Sequence, residues 1–128
     1  MPQNKQRLEL EEIAVQLRQD VIKMLLAAGS GHSASSLGLA DIFSALYFSI
    51  LNVDDQLVLS NGHACPILYA TLIKRGLLQK SDLKTLQKLG SPLQGHPHIN
   101  PEIGVDFSSG PLGQGLSLAC GMALTAKL

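Results

Sequence analysis

Residues 56–75 have the sequence QLVLSNGHACPILYATLIKR, and this stretch decides how the fold is interpreted. Its first five residues are a short apolar run bounded by polar residues, which predicts a buried β-strand at 56–60. An Asn-Gly pair then predicts a turn, and a helix follows at about 64–75 with Pro66 in its first turn. Because one strand cannot form a sheet, the sequence predicts a mostly helical chain whose strand needs partners supplied by something else.

Upstream of this stretch, a long amphipathic pattern predicts the first helix. From about residue 8 to residue 28, apolar residues recur at steps of three and four, which puts them on one face of a helix. Gly29 and Gly31 are expected to end it. The spacing also resembles heptads, but the pattern is short for a coiled coil, so packing against a globular core is favoured.

A glycine- and serine-rich loop at 29–38 is expected to separate the first helix from the second. The second helix is predicted at about 39–51 from a broad apolar stripe, with Ser35 and Ser36 as candidate caps. Further on, Ser81 is expected to cap a short fourth helix that carries three leucines and ends before Pro92.

The last third of the chain holds a long loop and a helix rich in small residues. The loop, at about 92–112, is punctuated by glycine and proline, and loops of that length inside compact domains tend to be functional. The last helix is predicted to begin near Gly113 and to be still running at Leu128. Its small side chains would allow close approach of a neighbour or a ligand.

Length and composition exclude several classes of protein. The 128 residues suit about one domain, and 45% hydrophobic and 16% charged residues are typical of a globular chain. Ten basic and ten acidic side chains argue against a nucleic acid or an anionic membrane surface as partner. No apolar run reaches the roughly 18 residues of a membrane span, and the polar N-terminus is unlike a signal peptide. We therefore expect a cytoplasmic protein, and its two distant cysteines argue against a disulfide framework.

The four histidines all lie in predicted loops or at helix entrances. His32, His63 and His96 each follow a glycine, so the backbone can approach a ligand while the imidazole exchanges a proton. Three such pairs favour a shared functional pocket over three unrelated surface histidines. The fourth, His98, could join His96 in a zinc site with a cysteine, but the spacings match no structural zinc motif, and no metal ligands are predicted.

The glycine-rich stretches differ from the common nucleotide-binding motifs. The stretch at 29–33 lacks the trailing Gly-Lys-Ser/Thr of a P-loop, and the one at 110–115 does not fit the dinucleotide fingerprint. The latter does open a helix, whose free N–H groups would suit an anion. The alternative is tight packing of that helix against a neighbour.

Four motifs together resemble those of transketolases, and they occur in the family's order from about residue 12 onward. They are Ser30-Gly31-His32-Ser33 with Leu37-Gly38-Leu39-Ala40-Asp41-Ile42, then Leu59-Ser60-Asn61-Gly62-His63-Ala64, then Gln94-Gly95-His96-Pro97, and finally Ser109-Gly110-Pro111-Leu112-Gly113-Gln114-Gly115-Leu116-Ser117. Ser33 stands where the family usually has proline.

The resemblance implies an α/β fold, the thiamine-diphosphate-binding fold in which helices flank a parallel sheet. Residues 1–128 would be the N-terminal portion of that domain, here a truncated, mostly helical first half with about one strand. The cofactors implied are thiamine diphosphate and Mg²⁺, with the magnesium ligands outside this chain because it contains no Gly-Asp-Gly. The implied partners are sugar phosphate substrates and a second chain or the missing remainder of the enzyme, which would form a homodimer.

The resemblance also assigns roles to five residues. His63 would contact the cofactor diphosphate, His32 would assist proton transfers near the reacting centre, and His96 would hydrogen-bond hydroxyls of the donor ketose. The Gly110 carbonyl would meet the aminopyrimidine, and Leu112 would pack against the cofactor. The reaction implied is transfer of a two-carbon ketol unit between sugar phosphates.

Two other functions stay open at this point. One is a non-catalytic helical fragment or partner-binding module, because the chain lacks parts that the implied chemistry needs, and the isolated chain is expected to be incomplete and inactive. The other is a fragment of an enzyme like 1-deoxyxylulose-5-phosphate synthase, although the second and fourth motifs look more like transketolase.

Overall fold

The structure is a computed structural model that describes residues 2–127. Its five α-helices are α1 (Pro2–Ala28), α2 (Ser33–Gly38), α3 (Ala40–Ala45), α4 (Cys65–Lys74) and α5 (Gly115–Thr125). A wider π-helical turn, Leu46–Ile50, continues α3, and 3₁₀ turns occupy Gly62–Ala64, Lys80–Lys84 and Pro101–Ile103. No helix within residues 2–127 combines the length and apolarity needed to cross a membrane.

Helix α1 supplies one wall of the core. The predicted end at Ala28 is confirmed, and the helix begins at Pro2, earlier than the pattern indicated. Its buried face is formed by Ala14, Leu17, Val21 and Met24, which are all wholly buried at helical spacing. Gly29 ends the helix in a left-handed conformation with φ of 71°. The prediction of packing on a globular core is confirmed, since α1 lies against α3 and α4.

Helix α2 occupies most of the segment that was predicted as a loop, so that prediction is wrong for residues 33–38. The candidate caps Ser35 and Ser36 lie inside α2, and the residue at its N-cap is His32. Ser36 is wholly buried, and its hydroxyl is shared between the carbonyl oxygens of His32 (3.2 Å) and Ala64 (3.4 Å). Tertiary hydrogen bonding rather than an apolar stripe therefore holds this short helix.

Helix α4 is the centre of the core and confirms the helix predicted at about 64–75. Every residue from Cys65 to Ile73 is buried. Pro66 lies in its first turn, where a missing N–H is tolerated, and Gly76 follows it with φ of 80°. Helix α4 is buried on all sides over these residues because α1, α2, α3 and the long loop pack around it.

The strand predicted at 56–60 is not formed in this structure. Among the described residues the one β-type pairing is an isolated antiparallel bridge between Asn100 and Val105, inside the long loop. The apolar character of 56–60 serves burial instead, since Leu59 is 5% exposed and packs into the core. A sheet needs a second strand, and residues 2–127 supply none to this segment. The parallel sheet of the implied α/β fold is thus not seen in this part of the chain.

Two smaller boundaries also differ from the prediction. The fourth helix is a 3₁₀ turn, and its cap is Gln79 with Asp82 rather than Ser81, because the Asp82 carboxylate accepts from the Gln79 N–H at 2.9 Å. Helix α5 ends at Thr125, earlier than predicted, and Leu128 lies outside the described residues.

Candidate functional site

The first two Gly-His pairs meet at the entrances of two packed helices. His32 is the N-cap residue of α2, and His63 lies in the 3₁₀ turn that leads into α4. Their imidazole rings meet edge to face, with centroids 4.9 Å apart and an interplanar angle of 69°. Both rings line an open cavity of about 410 Å³, together with residues 31 and 33–35. These two Gly-His pairs therefore share a pocket, and its functional role stays a prediction.

The third Gly-His pair reaches the same region from the long loop. The His96 ring lies so close to Gly62 that a Cβ built there would be 3.1 Å from its Cδ2 atom. The same atom would be 3.8 Å from a Cβ at Gly110. His96 is thus in contact with the second motif on one side and the fourth motif on the other, and its side chain is exposed.

Helix α4 holds the loop that carries His96. The Tyr69 hydroxyl donates to the carbonyl oxygen of Gln94 at 3.0 Å, and the Cys65 thiol donates to that of Gly95 at 3.2 Å. Burial raises the pKa of Cys65 to about 12 and raises the pKa of Tyr69 as well. Both groups therefore keep the protons that they donate, and the loop is anchored to the core just before His96.

The fourth motif closes the site through Ser109. Its N–H donates to the carbonyl oxygen of Pro97 at 3.1 Å, which joins the third and fourth motifs directly. Its hydroxyl is buried without a partner among the described residues, and a Cβ at Gly62 would lie 2.7 Å from it. Gly62 thus provides the gap that lets Ser109 and His96 approach the backbone, and any side chain at that position would fill it.

The N-terminus of α5 is fixed by a very close contact with the second motif. The Gly115 N–H donates to the Ser60 hydroxyl at 3.1 Å, and a Cβ at Gly115 would lie 2.4 Å from the Ser60 Cβ. The alternative of tight packing is therefore correct for Gly115. An open cavity of about 650 Å³ runs along this end of α5, from Ser108 past Gly110 to Leu118.

Two predicted residues stand apart from this cluster. Leu112 is 68% exposed on the turn before α5, so its packing against a cofactor stays a prediction. The His98 ring lies 3.2 Å from the Ser108 hydroxyl, which also accepts from the Ile99 N–H. Nowhere in residues 2–127 do three or more His, Cys, Asp or Glu side chains converge as metal ligands would.

The sequence analysis did not predict the residues of α4 that anchor the loop carrying His96. Cys65 and Tyr69 are spaced i, i+4 on an otherwise apolar helix, which is a signal that two polar groups share one face. Ser36, by contrast, is predicted only as a candidate cap of the second helix. No local signal marks its contact with Ala64, because that residue is 28 positions away.

Comparison of the sequence with known proteins identifies one family. Residues 10–128 match the family described as "Transketolase, thiamine diphosphate binding domain". The chain is 41% identical over 127 residues to human transketolase, covering 92% of this chain and 20% of that protein. It is 34% identical over 134 residues to the 6-deoxy-6-sulfo-D-fructose transketolase subunit of Clostridium sp. (strain MSTE9), covering 98% of this chain and 49% of that subunit.

Solved structures of transketolases share this fold. The transketolase from Campylobacter jejuni matches with a TM-score of 0.80 and 39% identity, over 92% of this chain and 20% of that one. The enzyme from Leishmania mexicana matches with a TM-score of 0.80 and 30% identity, over 89% of this chain and 18% of that one. The chain thus spans about one fifth of the length of the transketolases from mammals and these two species.

Proposed function

Since the chain belongs to the transketolase thiamine-diphosphate-binding family, we propose that it is the N-terminal part of an enzyme that transfers a two-carbon ketol unit between sugar phosphates. The observation that carries this proposal is the convergence of the four motifs. The rings of His32 and His63 are 4.9 Å apart, and the His96 ring lies close to both Gly62 and Gly110.

The chemistry of the site fits thiamine diphosphate. Gly62 and Gly110 present bare backbone, the buried Ser109 hydroxyl has a free hydrogen-bonding capacity, and the cavity beside Gly110 measures about 650 Å³. Imidazole and backbone N–H donors suit the diphosphate, whereas a backbone carbonyl suits an aminopyrimidine. When bound, the cofactor supplies an electron sink for cleavage of the ketose C–C bond.

We assign the diphosphate contact to His63 and the proton transfers to His32. His63 is half-buried at the start of α4, where the aligned N–H groups favour an anion, and its ring can donate to a phosphate oxygen. His32 is exposed at the edge of the cavity of about 410 Å³ that it shares with His63, so its ring can exchange a proton with a substrate hydroxyl.

His96, Gly110 and Leu112 complete the assignment. The exposed ring of His96 sits on the long loop beyond Gly62 and would hydrogen-bond hydroxyls of the donor ketose. The Gly110 carbonyl would accept from the aminopyrimidine, and the exposed Leu112 would become buried against the cofactor.

The proposed enzyme needs more than this chain. We place the Mg²⁺ ligands, the remainder of the active site and the dimer partner outside residues 1–128, and the enzyme in the cytoplasm. Support comes from the relatives, some of which are nearly five times as long, and from the exposed apolar side chains of α5, where Leu116 is 74% and Leu124 63% exposed. The family match and the relatives favour a transketolase over a 1-deoxyxylulose-5-phosphate synthase.

The test is a calorimetric titration with thiamine diphosphate and MgCl₂. The chain is titrated alone and after mixing with a polypeptide that carries the remaining part of a transketolase relative. We expect cofactor binding and ketol transfer in the mixture, and neither in the chain alone. The Gly62→Ala chain is the negative control. Its added methyl group would fill the gap beside Ser109, so its mixture should not bind the cofactor. If the wild-type mixture assembles and binds no cofactor, the proposed function is wrong.

A further inference from the structure

Gln87 holds an unusual backbone conformation next to the site. Its φ is 60°, and among residues 2–127 it is the one residue other than glycine with a positive φ. Residues with a Cβ rarely adopt the left-handed region, and glutamine lacks the short side chain that lets asparagine do so. Such conformations persist where the surroundings impose them, and they cluster at functional sites.

The backbone around Gln87 is fixed by the core. Its N–H donates to the carbonyl oxygen of Leu93 at 2.8 Å. Leu93 is wholly buried and Leu86, just before Gln87, is 1% exposed. The left-handed turn therefore lies between two buried leucines, and it directs the exposed Gln87 side chain towards the loops of the candidate site.

The Gln87 carboxamide contacts two of the four motifs at once. Its Oε1 atom accepts from the Ser30 hydroxyl at 2.7 Å, one residue before Gly31-His32. On its other side, a Cβ at Gly95 would lie 3.1 Å from the Gln87 Nε2 atom and 3.6 Å from Cδ. Gly95 immediately precedes His96, so one side chain lies against the loops of both exposed histidines.

We propose that Gln87 is a positioning residue that sets the separation of His32 and His96 by holding the Ser30 loop and the Gly95 loop on a single carboxamide. The two loops are far apart in the chain, and neither is part of a sheet that would fix their spacing within the described residues. The catalytic meaning of this separation rests on the proposed function, in which one histidine moves protons and the other binds the donor.

Four variants of the chain distinguish the effect of losing the Gln87 carboxamide from the effect of a more flexible backbone. Gln87→Gly removes the side chain but suits a positive φ, so it should fold with a melting temperature close to that of the wild type. Gln87→Glu keeps the length and the acceptor oxygen. Ser30→Ala removes one contact only. Lys88→Gly adds the same flexibility at the next, exposed residue without touching either loop.

The measurement is the NMR spectrum of the imidazole C–H groups, assigned to His32 and His96. We expect Gln87→Gly to shift both sets of signals, Ser30→Ala to shift mainly those of His32, and Lys88→Gly to leave both near their wild-type positions. Gln87→Glu keeps the acceptor for Ser30 but replaces the Nε2 group that faces Gly95 by a charged oxygen, so it should shift mainly those of His96. Wild-type signals in folded Gln87→Gly would overturn the proposal, and so would an equal shift in Lys88→Gly.

A second measurement uses the chain mixed with the remaining part of a transketolase relative. In that enzyme, Gln87→Gly should lower kcat/KM for the donor ketose by about tenfold to a hundredfold, as misplaced groups do, with thiamine diphosphate affinity unchanged. An unchanged donor kcat/KM would overturn the role of Gln87. Failure of the wild-type mixture to bind thiamine diphosphate would instead overturn the proposed function, and the NMR result would still decide whether Gln87 holds the two loops.

Discussion

His32 and His63, whose rings meet edge to face, lie at two helix entrances that one buried hydroxyl links. Ser36 is wholly buried in α2, and its Oγ atom lies 3.2 Å from the carbonyl oxygen of His32 and 3.4 Å from that of Ala64, the residue after His63. Because α2 and α4 pack together at this point, the hydroxyl joins the entrances of both helices. The two imidazoles are thus brought to 4.9 Å by the packing of their helices.

Removing that hydroxyl should loosen the site and lower stability together. Ser36→Ala removes the hydroxyl donor that the buried carbonyl oxygen of Ala64 shares with that of His32, so we expect the free energy of unfolding to fall by about 1–2 kcal/mol. Urea unfolding measures the change. Ser33→Ala, an exposed serine of the same helix, is the matched control and should change stability by less than about 0.5 kcal/mol. Equal effects of the two variants would contradict the role given to Ser36.

Helix α5 should be far more sensitive at its first glycine than at its middle one. A Cβ at Gly115 would lie 2.4 Å from the Ser60 Cβ and 2.6 Å from its Cα, so the backbone must move. We expect Gly115→Ala to lower the free energy of unfolding by about 1–3 kcal/mol. At Gly121, in the same helix, an added Cβ would meet nothing within 4 Å. Gly121→Ala should therefore raise the free energy of unfolding by about 0.5–1 kcal/mol. Thermal unfolding of both variants checks the contrast, and a harmless Gly115→Ala would show that α5 is not anchored to Ser60.

The buried thiol of Cys65 should make the chain lose stability in alkali. Burial raises its pKa to about 12, whereas the unfolded thiol ionises near its ordinary pKa of about 8.5. Between these values the unfolded chain has released a proton that the folded chain retains. Stability from this group is therefore complete below about pH 8 and falls as the pH rises, by up to about 1.4 kcal/mol per pH unit.

Cys65→Ser tests that expectation, because serine keeps a donor for the Gly95 carbonyl and does not ionise in this range. Urea unfolding at pH 8, 9, 10 and 11 should show a steeper loss for the wild type than for the variant. Tyr47 and Tyr69 also have raised pKa values through burial, but both are present in both proteins. Parallel pH profiles would mean that the thiol is not buried as the structure has it.

The helices were predictable where a long apolar period met a glycine stop. That is why the end of the first helix at Ala28 and the bounds of α4 agree with the sequence. Helix α2 was missed because the segment SASSLG has no apolar period, and a hydroxyl bonded to a residue 28 positions away stabilises it. The run at 56–60 predicts a strand, and residues 2–127 contain no neighbouring strand with which it could pair.

The histidines of the candidate site were predictable from the sequence, whereas the residues that hold them in place were not. Glycine followed by histidine is a local signal, and the three residues it marked do come together around Gly62. The contact between Ser30 and Gln87 spans 57 positions, and a positive φ at a glutamine leaves no trace in the sequence. Supports of this kind depend on tertiary packing, which single-residue patterns do not encode.

The roles assigned to His63 and His96 differ in what each would do to the enzyme completed with the remaining part of a transketolase relative. His63 lies at the start of α4, where an anion is favoured and an imidazole can donate to a phosphate oxygen. His63→Ala should therefore weaken thiamine diphosphate binding by about 1.5–3 kcal/mol, as expected for a hydrogen bond to a charged group. Calorimetric titration at saturating MgCl₂ measures this loss. His98→Ala, at an exposed position of the long loop, is the control and should leave the thiamine diphosphate affinity unchanged.

Replacing His96 should change the kinetics of the donor sugar and leave cofactor binding nearly unchanged. Its exposed ring lies on the long loop, close to Gly62 and Gly110, so it is placed to meet a donor hydroxyl. His96→Ala should lower kcat/KM for the donor ketose, mainly through a higher KM, while thiamine diphosphate affinity stays within about twofold of the wild type. Steady-state kinetics at saturating cofactor, run beside the titration of the same variant, separates the two effects. If His63→Ala and His96→Ala lose cofactor affinity equally and neither changes donor kinetics, the division of roles between them is wrong, even though both residues lie in one site.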